Sequence, residues 1–290
     1  MSSPLRERFR QDLQLAGLAE KTQEAYVGAV AQLAAHAHKS PEKITDEELR
    51  DYFLHLRNVK KVSSSTAKVA LCGIKRFMET TLRRSWTALE FVRPPRKKRL
   101  PAILSVEEAQ RVLAAVELLR FRVCLRVLYS CGLRLGEGIG LQVRDVDGGR
   151  GLLHIRDGKG GKDRYVPLPE KMLPELRAFW RTHRNPVYLF PAPERGAVAM
   201  PVATRPMHRS GVQTAFRLAV RGVGIHKKVS VHTLRHSYAT HLLEAGVNQR
   251  VIQGCLGHSS PETTAIYTHL TAPSTEGVRK AIEGIMAKVL

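Results

Sequence analysis

The spacing of apolar residues predicts a mainly α chain with one small antiparallel β-sheet. It divides into an N-terminal helical domain over 1–92, a basic linker over 93–103 and an α+β domain over 104–290. Three observations carry this. Apolar residues recur at intervals of three and four along most of the chain, one glycine-rich turn joins two short strand-like runs, and a proline-broken cationic stretch separates the halves. A length of 290 residues suits two domains better than one small core.

In order, Leu5, Phe9 and Leu13 form the first helical stripe, which ends near Gly17. Thr22 is placed to cap a second helix, with Ala25, Tyr26, Ala29, Val30 and Leu33 on its apolar face. Thr45 and Glu48 have capping-box spacing ahead of Leu49, Tyr52, Phe53 and Leu56. Ser63 to Thr66 open a fourth helix through Val69, Leu71, Ile74, Phe77 and Met78, completing a compact bundle expected to hold few aromatic residues. Its late cations Lys60, Lys61, Lys68, Lys75, Arg76, Arg83 and Arg84 suit a face that tracks a phosphate backbone, or equally a solvated surface. Arg93 to Arg99 hold five basic residues and two prolines; Arg96, Lys97, Lys98 and Arg99 fit a strap on DNA or a plain solvated linker. Ser105 with Glu108 then caps a helical stretch running to about Ser130, and another helix covers Leu135 to about Leu141. Leu152–Ile155 and Tyr165–Leu168 read as strands flanking a glycine-rich tip at 157–163. The remainder is helical apart from a proline-rich loop at about 185–206.

The composition holds 47 Lys+Arg against 26 Asp+Glu, a formal charge of +21, which favours a polyanionic partner bound through counterion release. An anionic membrane is the weaker partner, since no apolar run approaches the roughly 20 residues of a membrane span. The N-terminus has no signal-peptide core, so a cytoplasmic protein is expected. Cys72, Cys124, Cys131 and Cys255 form no CxxC pair and read as free thiols.

The chemistry concentrates in the second half. Arg134, three residues before Glu137, places a permanent cation at a helix start, and Glu137 can orient a catalytic arginine or histidine. Lys159 sits on the glycine-rich tip, where a flexible ammonium can reach a leaving oxygen; Lys162 and Arg164 share the neighbourhood and suit contacts to the DNA backbone, while spacing leaves Lys159 and Lys162 both open as the acid. His232 and Arg235 lie three apart on one helical face and can reach one phosphate together. His236 follows His232 by four, but Thr233 stands where a metalloprotease helix needs glutamate, so no metal is expected. Gly257 suits a left-handed helix end that holds His258 in a turn, and Tyr267 follows nine residues later. A phenol with a pKa near 10 needs such clustered cations and bases to attack phosphorus. The same cations can stabilise a five-coordinate phosphorane, in the place of the carboxylate-bound metals of two-metal nucleases.

As a set, Arg134, Lys159, His232-x-x-Arg235, His258 and Tyr267 resemble the tyrosine recombinase (phage integrase) family, and their motifs are similar to those of Xer recombinases and integron integrases. The resemblance implies a SAM-like helical core-binding domain over about 5–88 and a tyrosine-recombinase catalytic domain over about 104–270. It further implies a site-specific recombinase or integrase, without cofactor, that cuts double-stranded DNA through a 3′-phosphotyrosine and passes through a Holliday junction as a tetramer on two sites. Arg134 and Arg235 would hold the phosphate, Lys159 would protonate the leaving 5′ oxygen, His232 would serve as acid and base, His258 would donate a hydrogen bond and Tyr267 would attack. Gly136-Glu137 after Arg134 departs from the Ser-Glu pair common there, and glycine at 136 is expected to loosen its helix. Val278, Ile282, Ile285 and Val289 form a stripe suited to docking on a neighbouring subunit or back on its own. A non-catalytic DNA-binding relative and a type IB topoisomerase are the competing readings. The bacterial nucleoid is the expected location.

Overall fold

The structure is a computed structural model that describes residues 3–86, 100–156, 158, 161, 163–192 and 200–257. It is mostly helical with one three-stranded antiparallel sheet, and the chain divides into two compact units, 1–99 and 100–290.

The first unit contains α1 (Ser3–Leu15), α2 (Glu20–Ala37), α3 (Asp46–Leu54) and α4 (Ser64–Arg76). Thr45 caps α3 in a full capping box, its side chain accepting from the Glu48 N–H while Glu48 accepts from the Thr45 N–H, and Ser63 caps α4. Thr22 does not cap α2: the helix already starts at Glu20, because extended Ala19 offers its carbonyl to the Thr22 and Gln23 N–H groups. α3 and α4 each widen into a π-helical turn, His55–Val59 and Phe77–Thr81. The core is richer in aromatics than the sequence suggested. Phe9, Tyr52, Phe77 and Trp86 are buried in it, with Phe9 and Phe77 edge to face at 5.0 Å. Lys60, Lys61 and Lys68 are exposed, whereas Lys75 is half-buried and pairs with Glu79, and Arg84 is tied to Asp46 and the Ile44 carbonyl.

The second unit contains α5 (Val106–Ala114), α6 (Leu119–Ser130), α7 (Leu135–Ile139), β1 (Val146–Asp147), β2 (Leu152–Ile155), β3 (Arg164–Pro167), α8 (Met172–Arg181), α9 (Arg209–Gly222), α10 (Val231–Glu244) and α11 (Gln249–Leu256). Strand β1, too short to show a period, is a strand the sequence reading did not find. β2 lies between its neighbours, with Val146 opposite Leu153 and Ile155 opposite Arg164. Leu153, Ile155 and Val166 point into a core shared with Val123, Val127 and Leu128 of α6, Phe216 of α9 and Leu234 of α10. Alternation on β2 leaves His154 outward, stacked on Tyr165 at 4.6 Å.

Helix α10 carries two predicted site residues, and two polar side chains fix its position. His241 bridges the Tyr129 hydroxyl at 2.9 Å and the Leu104 carbonyl at 3.0 Å, and the Ser237 hydroxyl accepts from the Leu104 N–H at 3.0 Å. Since Nε2 must donate to a carbonyl, Nδ1 accepts from the phenol, a single tautomer that clamps α10 against α6.

Candidate active site

Three arginines from three elements meet on one carboxylate. Arg134 stands immediately before α7, Arg164 opens β3 and Arg235 lies in the first turn and a half of α10. Glu137 Oε1 accepts from Arg134 Nη1 at 2.6 Å and Arg164 Nη1 at 3.0 Å; Oε2 accepts from Arg164 Nη2 at 2.7 Å and from the Arg134 N–H at 2.9 Å. Arg235 Nη1 is 3.8 Å from the same Oε2. The side chains are 25% (Arg134), 10% (Arg164), 1% (Arg235) and 8% (Glu137) exposed, so these pairs are held largely out of water.

The same arginines grip the end of α11, one carbonyl each. Arg164 Nε donates to the Cys255 carbonyl at 2.9 Å, Arg235 Nη2 to the Leu256 carbonyl at 2.5 Å and Arg134 Nη2 to the Gly257 carbonyl at 3.3 Å. Among the described residues these carbonyls accept no backbone N–H, and they lie at the negative end of the helix dipole. Gly257 closes α11 with φ +62°, as its sequence position predicted, and a Cβ there would lie 3.0 Å from Arg164 Cδ. Arg235 Nη1 also donates to the Gly132 carbonyl at 2.8 Å, across a glycine at φ +61° whose Cβ would meet the Tyr238 ring at 2.5 Å.

Burial by itself would push the Glu137 carboxyl up, but hydrogen bonds from Arg164, the Arg134 N–H and the Arg134 side chain outweigh it and hold its pKa at about 2. His232 stands exposed at the surface, yet the protein around it and the Arg235 and Arg134 guanidiniums keep its pKa below the ordinary value. It is therefore a neutral imidazole at pH 7. His236 packs edge to face on His232 at 4.6 Å, and burial, His232 and Arg235 lower its pKa to about 4. Cys131 is buried with its thiol pushed up to about 12, an unreactive packing residue as expected.

Of the predicted site residues, the structure brings Arg134, Glu137, His232 and Arg235 together. Lys159, Lys162, His258, Tyr267, the linker cations Arg96 to Arg99 and the stripe Val278 to Val289 lie outside the described residues. Arg164 corrects the sequence reading. Assigned there to the DNA backbone, it is instead enclosed, with all three guanidinium nitrogens spent on Glu137 and Cys255. Burial of the following Val166 was the available signal, since it fixes which way β3 faces but not what Arg164 meets. Gly136 does not prevent α7 from forming, because the Arg134–Glu137 contacts staple its first turn.

The Phage integrase family model matches residues 102–273, and the phage integrase N-terminal SAM-like domain matches 5–88. The chain belongs to the phage integrase family of tyrosine recombinases. Among similar members of that family, a putative integrase/recombinase of Sinorhizobium fredii is 37% identical over 92% of this chain and 85% of its own length. The tyrosine recombinase XerD of Halalkalibacterium halodurans is 32% identical over 80% of each. The crystal structure of a XerA recombinase covers 96% of this chain and 97% of its own at 29% identity and a TM-score of 0.54. A lambda integrase dimer bound to a COC′ core site shares the fold at 19% identity and a TM-score of 0.71, over 92% of this chain and 94% of that one. This recombinase is thus a site-specific DNA recombinase, mostly helical, with a SAM-like N-terminal domain and a catalytic domain. Among the described residues no helix is long and apolar enough to cross a membrane.

Proposed function

We propose that this recombinase breaks and rejoins DNA by tyrosine transesterification, without a metal ion. The supporting observation is the charge balance of the buried cluster: three guanidiniums share one carboxylate, which leaves two positive charges for a phosphodiester that becomes dianionic as it is attacked. Tyr267 Oη bonds to phosphorus and gives its proton to His232, whose depressed pKa keeps it ready to accept. Arg134, Arg235 and His258 hold the non-bridging oxygens, the two arginines giving up the Gly257 and Leu256 carbonyls for them. The P–O5′ bond breaks, and the 5′ oxygen takes a proton from Lys159 or Lys162 on the β2–β3 turn. The 3′-phosphotyrosine conserves the phosphoester, and attack by a 5′-hydroxyl with return of both protons reverses the step.

Recombination of double-stranded sites through a Holliday junction by four copies follows from the family. The lambda integrase tetramer bound to a Holliday junction shares this fold, at a TM-score of 0.72. The stripe Val278, Ile282, Ile285 and Val289 suits docking on a neighbour, and Lys60, Lys61, Lys68, Lys75, Arg76 and the linker cations Arg96, Lys97, Lys98 and Arg99 suit the DNA backbone. The protein would act at the nucleoid in the cytoplasm. The test uses a nicked DNA duplex that releases its short 5′ fragment and traps the cut. Wild type should accumulate a covalent protein–DNA adduct in EDTA, and Tyr267→Phe should form none. An adduct from Tyr267→Phe, or cleavage abolished by EDTA, overturns the reading.

A further inference from the structure

Arg164 is the enclosed cation that adds to the charge of the cluster but is given no contact with the phosphate in the chemistry above. It opens β3, directly after the turn that carries Lys159 and Lys162, and it lies opposite Ile155 in the register. Its two terminal nitrogens take both oxygens of Glu137 at 3.0 and 2.7 Å, while Nε takes the Cys255 carbonyl at 2.9 Å. A fork–fork ion pair with a third bond from Nε to a different acceptor leaves the strand start little freedom in distance or direction. It also binds the strand to the same carboxylate that orients Arg134, and to the helix end that Arg134 and Arg235 hold. The tight approach of Gly257 to Arg164, 3.0–3.2 Å for an added Cβ, shows that these parts are fitted to one another.

We propose that Arg164 is a positioning residue, which registers the lysine-bearing β2–β3 turn against the Arg134–Arg235 phosphate grip and so sets the reach of the general acid to the leaving oxygen. The proposal rests on the lysine role put forward above. Lysine at 164 keeps the charge, but one ammonium cannot span both Glu137 oxygens and the Cys255 carbonyl. An error of 1 Å in a proton donor is enough to lose much of its contribution.

The experiment measures single-turnover cleavage at saturating DNA on two substrates, one with the natural 5′ oxygen and one with bridging 5′ sulfur. A thiolate leaves without protonation because a thiol pKa is about 8.5, far below that of an alcohol. Arg164→Lys, which keeps the charge of the cluster, should cleave the oxygen substrate slower by on the order of 10², the scale of general-acid catalysis, and the sulfur substrate at close to the wild-type rate; Arg164→Met, which removes that charge, should slow both substrates, the oxygen one more by a similar factor. The ratio of the two rates is internal to each protein, so any unfolded fraction divides out. The salt slope of DNA binding should stay unchanged, whereas loss of a phosphate contact lowers it by about 1. Lys159→Ala and Lys162→Ala run alongside. If one of them shows the sulfur rescue and the Arg164 variants lose both rates equally, or lose only affinity, the proposal fails alone. If neither lysine variant shows the rescue, the general-acid reading fails and takes the proposal with it.

Discussion

Replacing Glu137 by glutamine removes one charge and almost no volume, yet it strikes the contact on which the cluster is built. The carboxyl lies at about 2 against an ordinary 4.5, which at ~1.4 kcal/mol per pKa unit is about 3 kcal/mol of folded-state preference for the carboxylate. That agrees with the roughly 3–5 kcal/mol lost when one partner of a buried ion pair is removed. Glu137→Gln should therefore destabilise the catalytic unit by about 3 kcal/mol at pH 7. The pH dependence has a definite sign. Because folding depresses the carboxyl pKa, its stabilisation is complete above about pH 4.5 and disappears as pH falls towards 2. The gap between wild type and variant should be level from pH 8 to 5 and close below that. Urea unfolding followed by Trp180 fluorescence, in a Trp86→Phe background so that only the second unit reports, measures it. Saturating phosphate should also restore part of the loss in wild type at low pH, since an anion can replace the protonated carboxyl among the arginines. A loss below about 1 kcal/mol at pH 7, or a gap unchanged at pH 3, would refute the assignment of Glu137 as the counter-charge.

Gly132→Ala places a Cβ at φ +61° and 2.5 Å from the Tyr238 ring. It should cost about 2–5 kcal/mol in the same urea titration and slow DNA cleavage, because the Gly132 carbonyl that holds Arg235 must move. Gly257→Ala, strained at φ +62° and pressed on Arg164, should lower stability by about 1–3 kcal/mol and lower the cleavage rate of the remaining folded protein. Folding depresses His236 to about 4, so wild-type stability should fall as pH drops from about 6.5 towards 4. His236→Leu should flatten that interval in acid unfolding curves. Ser105→Ala removes the cap of α5 and should cost about 1 kcal/mol with unchanged DNA cleavage.

Local chemistry made much of this protein legible in one dimension. The caps at Thr45, Ser63 and Ser105, the αL end at Gly257 and the hairpin around the glycine-rich turn each depend on residues a few positions apart, and they stand where the sequence puts them. Two of the errors were also local. Thr22 has the chemistry of a cap, but the preceding chain had already turned into the helix, and two residues at β1 are too few to show an alternation. The residue types for phosphate chemistry could be picked out because two arginines, histidines, a lysine and a tyrosine rarely share another purpose in one set. By itself, then, the sequence determined the helical plan and the basic character and nominated the reacting groups. Only the tertiary structure decided that Arg134, Arg164 and Arg235 share Glu137 and divide three successive carbonyls at the end of α11. Apart from the local Arg134–Glu137 pair, those contacts join positions separated by 21 to 123 residues, and no period or propensity acts over such distances. Arg164 reads as one more cation in a basic turn until packing buries it. Its role follows from where the core leaves a carboxylate without solvent, and that is settled by the fold as a whole.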